Sequence, residues 1–135
     1  MANSFKDGYK MENEKISKVK TIDNSLHGIA RAYTLTYSCC YIISPFFGLQ
    51  NSLWGPTAST IMLISVGIGL LAAIFTQNKA LLFVFGVAEA VGCVAHFLKI
   101  VPWIPAFSDT AYVIMSLLDL TQSLLLFLLL QEQDS

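Results

Sequence analysis

The sequence predicts an all-α integral membrane protein, a bundle of four transmembrane helices with both termini on the inner side. Three observations predict it. Hydrophobic residues make up 55% of the chain and charged residues only 13%, where a soluble domain carries about 25% charged residues. The apolar residues gather into four runs, each near the roughly 20 residues that cross a 30 Å hydrocarbon layer. The basic residues are lopsided. Lys6, Lys10, Lys15, Lys18, Lys20 and Arg31 precede or enter the first run, and Lys79 sits in the second link, which even span counting places on the same side. Lys99 alone falls on the other side, so the bias puts both ends inside.

Residues 1–25 read as a polar arm of mixed charge. They lack an apolar core with a small-residue cleavage site, and they hold too many acids for a typical transit peptide. Within the arm, Met11 to Val19 allows a short amphipathic surface helix with Lys15 and Lys18 toward lipid headgroups, against the plainer reading of a solvated tail. The transmembrane domain spans 26–131, with helices over about 27–47, 57–75, 80–101 and 110–130. Asn51, Gly55 and Pro56 break the chain after the first helix. Thr76-Gln77-Asn78-Lys79 forms a tight polar link after the second. Pro102 and Pro105 end the third. Residues 132–135 form an acidic tail. Trp54 and Trp103 are expected at the outer boundary, where indole rings favour the headgroup layer.

The candidate functional residues are the ionisable ones that fall where lipid should be: Glu89, His96 and Asp119. An ionisable group at mid-membrane costs about 2.5–3.5 kcal/mol on insertion scales, so it calls for a partner or a task. In the third helix Gly86, Glu89, Gly92 or Cys93, His96 and Lys99 follow at steps of three or four and share a face. Val84, Val87, Val91 and Leu98 on the opposite face suit lipid. In the fourth helix Tyr112, Ser116, Asp119 and Ser123 share a face, with Gln122 at its edge. Counting about 1.5 Å per residue from the outer ends puts Glu89 and Asp119 at one depth. Two charges there would repel, so at least one of the two carboxyls is expected to hold its proton at neutral pH.

The first helix supplies Tyr33, Tyr37 and Tyr41 at steps of four. Tyr37 is expected to match the depth of the acids and Tyr41 that of His96. Ser65, Gly69 and Ala73 of the second helix form a small-xxx-small stripe for close packing. Cys39, Cys40 and Cys93 have no CxxC or metal-ligand spacing and read as small buried apolar residues.

Several functions are excluded or weakened. The net charge of −1 argues against nucleic acid. No phosphate loop, HExxH or GxSxG occurs, and Glu89-x6-His96 is not the spacing of di-iron bundles, so no metal is expected. His96 alone is a candidate axial ligand for a pigment or haem; the cofactor is otherwise unknown. The leading expectation is a non-enzymatic subunit or scaffold in a larger membrane assembly, whose partners are the bilayer and other integral subunits. The alternatives are an enzyme for a lipophilic small molecule (sterol, quinone or terpenoid), with Glu89, Asp119, His96 and Tyr37 as acid, base and assistants, or a proton-coupled transporter. A multi-pass protein of the endoplasmic reticulum or an organelle membrane fits these expectations.

The link containing Asn78, followed by a helix that ends in His96-Phe97, resembles the ergosterol-biosynthesis scaffold family of small four-span endoplasmic reticulum proteins. The likeness covers spans two and three. It departs at the second span, where the family has an arginine and Ala58 to Phe75 carries no charge. The layout also resembles the broad DoxX-like group of four-helix membrane proteins. The likeness assigns no role to any residue.

Overall fold

The computed structural model describes residues 2–134. It contains four long helices: α1 (Ala2–Ile43), α2 (Gly55–Thr76), α3 (Lys79–Phe97) and α4 (Asp109–Asp134). A 3₁₀ turn, Ser44–Phe47, follows α1. Two short strands, β1 (Gln50–Asn51) and β2 (Trp103–Ile104), pair antiparallel with Asn51 opposite Trp103. This ribbon joins the α1–α2 and α3–α4 loops, which the sequence presents only as breakers. One end of the bundle is therefore a ribbon end, and the other, a terminal end, carries the α2–α3 link and the end of α4. Neighbours pack in the order α1, α2, α3, α4. The α3–α4 pair is the most extensive and the α1–α4 seam the slightest.

Local chemistry sets the boundaries. Pro45 has no N–H to give the Tyr41 carbonyl, and the Ser44 hydroxyl donates to that carbonyl instead at 3.0 Å, so α1 ends there. Gly48 closes the turn in the left-handed conformation, φ 84°. Asn78 caps α3, its side-chain oxygen accepting from the N–H groups of Ala80 and Leu81 at 2.9 and 3.2 Å. Ser108 caps α4, accepting from the Ala111 N–H at 3.2 Å.

α3 stops at Phe97, short of the expected Val101. Lys99 turns left-handed at φ 54°. The Lys99 N–H donates to the His96 carbonyl at 3.2 Å, and the Ile100 N–H donates to Ala95 at 3.0 Å. That is a Schellman closure built without the glycine that usually announces one. Lys99 therefore leaves the polar face of α3 and pairs with Asp109. At the other end of the chain, α4 runs on through the expected acidic tail. Glu132 meets His27 at 2.8 Å, and the Gln133 amide donates to Gln77 at 3.1 Å. Ser135 lies outside the described residues.

α1 is one unbroken helix of 42 residues. The polar segment ahead of His27 belongs to it and extends past the end of α4 by about 36 Å at 1.5 Å per residue. Lys15 on this extension is exposed, while the Lys18 side chain lies outside those described.

Three helices are long and apolar enough to cross a membrane: Gly55–Thr76, Lys79–Phe97 and Asp109–Gln133. Their outward faces are apolar, with Ile61, Ile68, Phe83, Val87, Val91, Leu117 and Leu124 all exposed on the isolated chain. Such a surface needs lipid or protein around it. α1 is more mixed. Arg31, Thr36, Cys39 and Cys40 lie on its exposed side, so Cys39 and Cys40 are not the buried cysteines that the sequence led us to expect. A cysteine facing hydrocarbon is as well accommodated as one in a protein core, which is why composition does not separate the two.

The interior falls into two clusters. Toward the terminal end, Ala30, Leu70, Ala73, Ile74, Leu82, Leu126 and Leu129 form an aliphatic core. Toward the ribbon end the core is Leu63, Trp103 and Tyr112. Close approach is secured by glycine at four places. A Cβ on Gly69 would lie 1.9 Å from the Phe85 ring, and one on Gly67 would lie 2.6 Å from Ile42. Gly86 receives the Phe127 ring and Gly92 the Asp119 carboxyl, where a Cβ would lie only 3.0 and 3.2 Å from its neighbour. In the Ser65, Gly69, Ala73 stripe, Gly69 and Ala73 face the bundle and Ser65 is exposed.

Candidate functional site

The two intramembrane acids and the histidine all point inward. Glu89 is 3%, Asp119 1% and His96 8% exposed. Each owes its position to the helical periodicity of its face: Gly86, Glu89 and His96 are buried on α3, and Tyr112, Ser116, Asp119 and Ser123 on α4. The α3–α4 interface is stitched by side chains bonding to backbone across it. The Ser116 hydroxyl donates to the Cys93 carbonyl at 2.8 Å, and the Ser123 hydroxyl donates to Gly86 at 2.7 Å.

His96 bonds through both ring nitrogens. Nδ1 lies 2.6 Å from Asp119 Oδ2, and Nε2 lies 3.0 Å from the indole nitrogen of Trp103. An indole nitrogen is only a donor. Nε2 therefore accepts, Nδ1 carries the ring proton, and Asp119 Oδ2 receives it; the tautomer follows from the network rather than from observed hydrogens. The backbone N–H of Trp103 donates to the Tyr112 hydroxyl at 3.0 Å. His96 thus joins α3, α4 and the loop between them. No sequence signal points to this partner. Trp103 sits in a proline-flanked loop without periodicity, and it was expected at the headgroups. The ribbon instead turns its indole inward, leaving Trp103 6% exposed, whereas Trp54 stays 53% exposed.

Glu89 and Asp119 are not hydrogen-bonded to each other among the described residues. Asp119 engages His96, and Glu89 is met by the phenol of Tyr41. Tyr41 was expected to match His96, and Tyr37 the acids. The register differs by one turn because a helical side chain leans back toward the N-terminus of its helix. Tyr33 reaches α4 for the same reason, donating to the Leu118 carbonyl at 2.7 Å. Tyr37 sits between its neighbours, stacked on the Tyr33 ring at 5.7 Å and edge-on to Tyr41 at 5.0 Å. Deeper in the bundle, the Gln122 amide donates to Thr34 at 2.9 Å.

A cavity of about 160 Å³ lies at the ribbon end, between α1 and α4. Tyr37, Tyr41, His96, Trp103, Met115 and Asp119 form most of its wall. Cys40 and Leu118, both exposed, stand at its mouth. No group of three or more metal-ligating side chains is gathered among the described residues. The expected axial-ligand role of His96 meets a definite obstacle, since neither ring nitrogen is open to a metal. The chain matches no protein-family model, no curated protein and no solved structure.

Proposed function

We propose that the chain is a small integral membrane subunit or scaffold that works within a larger membrane assembly. In this reading α1 completes a four-span bundle with both termini inside. The observation that carries it is the engagement of His96 through both nitrogens. A general base needs an open lone pair within reach of its substrate, and Nε2 spends its own on Trp103. Gln122 with Thr34, Ser116 with Cys93, Ser123 with Gly86 and Tyr33 with Leu118 bond across helix pairs, which is the work of cross-bracing. Further support comes from the placement of the basic residues and from α1, whose polar extension beyond the bundle offers a partner a long helical arm.

Purification from native membranes in mild detergent tests the proposal. The expected result is a complex with larger subunits in fixed stoichiometry, with cysteines introduced at either terminus labelled only after sealed vesicles are opened. A solitary, monodisperse protein that turns over a lipid substrate would defeat it.

A further inference from the structure

We propose that the cavity between α1 and α4 binds the hydroxylated aromatic head group of a membrane lipophile, an alkylated or prenylated phenol. This inference does not depend on membership of a complex.

Size comes first. A dry cavity of about 150 Å³ takes one benzene ring, and this one measures about 160 Å³. It holds one six-membered ring and is too small for a fused tetracycle. Its walls are the rings of Tyr37, Tyr41 and Trp103 with Leu63 and Met115, surfaces on which an aromatic ring stacks. Access comes second. The mouth at Cys40 and Leu118 lies on the slightest seam of the bundle. A ligand entering there comes sideways from lipid and leaves its tail in the bilayer.

Polarity decides the chemical class. Asp119 is 1% exposed and lines the cavity. Its Oδ2 is bonded to His96, while its Oδ1 accepts no hydrogen bond among the described residues. A carboxyl oxygen without a donor is a ready acceptor, and the cavity that Asp119 lines is the side from which a donor can arrive. The Tyr37 hydroxyl also makes no hydrogen bond among the described residues, and Tyr37 stands in the same wall. The remaining polar groups are spoken for: Ser44 donates to the Tyr41 carbonyl, Tyr41 meets Glu89, and His96 Nε2 accepts from Trp103. The ligand therefore brings a donor to Asp119 and an otherwise apolar ring. A phenol meets both needs, while a plain acyl tail meets neither.

The test uses the full chain in lipid nanodiscs with para-nonylphenol as probe and nonylbenzene as the same shape without a donor. Binding is read from Trp103 emission in a Trp54→Phe background, and independently from protection of Cys40 against maleimide with Cys39 and Cys93 replaced by Ala. Nonylphenol should bind saturably and protect Cys40, and nonylbenzene should bind about tenfold more weakly, the worth of one hydrogen bond to a charged group. Cholesterol, a hydroxyl on a tetracycle, should not compete. Asp119→Asn also touches the His96 bond, so two gentler variants accompany it. Tyr37→Phe removes a hydroxyl that bonds nothing among the described residues and should weaken nonylphenol alone. Met115→Phe fills the cavity and should abolish saturable binding. Equal affinity for nonylphenol and nonylbenzene, effective competition by cholesterol, undiminished binding to Met115→Phe, or no saturable binding at all would each overturn the proposal.

Discussion

At the terminal end of the bundle the interior is aliphatic: Leu70, Ile74, Leu82, Leu126 and Leu129 are fully buried, and Thr34 and Gln122 form a buried polar pair among them. At the ribbon end the order is reversed. Trp103, His96, Asp119 and Tyr112 form a connected polar chain, the α1–α2 and α3–α4 loops pair as strands, and the packing leaves a cavity. The difference shows what each kind of contact supplies. In lipid, aliphatic faces gain nothing from water by meeting, so the terminal end depends on close fit, including the glycines that admit Phe85 and Phe127. The ribbon end depends on directional bonds, which fix the position of a loop that has no helical periodicity of its own. A region held by bonds rather than by fit can keep an opening, and that is where the cavity lies.

The strongest blow to the comparison's first half is Gly69→Leu. The side chain would enter the space of the Phe85 ring, and overpacking of this kind costs about 3 kcal/mol. Unfolding monitored in detergent should show that loss, with partial recovery in Gly69→Leu combined with Phe85→Ala. Normal stability with loss only of a partner protein would place Gly69 at an interface with that partner rather than within the bundle.

A smaller effect is expected at the ribbon end. Asp119→Ala takes the carboxylate acceptor away from the buried His96 Nδ1 proton, a cost of about 2 kcal/mol. Asp119→Asn keeps an acceptor and should lose much less. Nitrogen NMR of His96 should report the Nδ1–H tautomer in the parent protein. Equal losses in the two variants would mean that shape rather than the hydrogen bond holds this end.

The smallest effect belongs to the polar pair at the terminal end. The Gln122 amide donates to Thr34, but its Oε1 is buried with no partner. Gln122→Leu removes one bond and one unsatisfied oxygen together. Its cost should stay near the 0.6 kcal/mol typical of interhelical bonds in membranes. A loss as large as that of Asp119→Ala would erase the distinction between the halves.

Periodicity and hydropathy are properties of neighbours along the chain, and what depends on them was legible in the sequence. The inward faces of α3 and α4, the outward valines, and the burial of Glu89, His96 and Asp119 all follow from residues three and four apart, and the breaks near Pro56 and Asn78 follow from local chain-breaking residues. Three helices carry enough apolar length to span a membrane by composition alone. The partners of those buried groups were decided elsewhere. Trp103 reaches His96 because two loops distant in sequence pair as strands, and no local pattern encodes that pairing. Tyr41 reaches Glu89 because side chains lean along the helix axis, which shifts contacts by a turn from where Cα depth places them. α3 stops at Phe97 through backbone hydrogen bonds that Lys99, a non-glycine residue, completes. The spare oxygen of Asp119 and the cavity before it exist only once four helices and a ribbon have been assembled, since a cavity is the space that packing leaves and belongs to no segment of the chain.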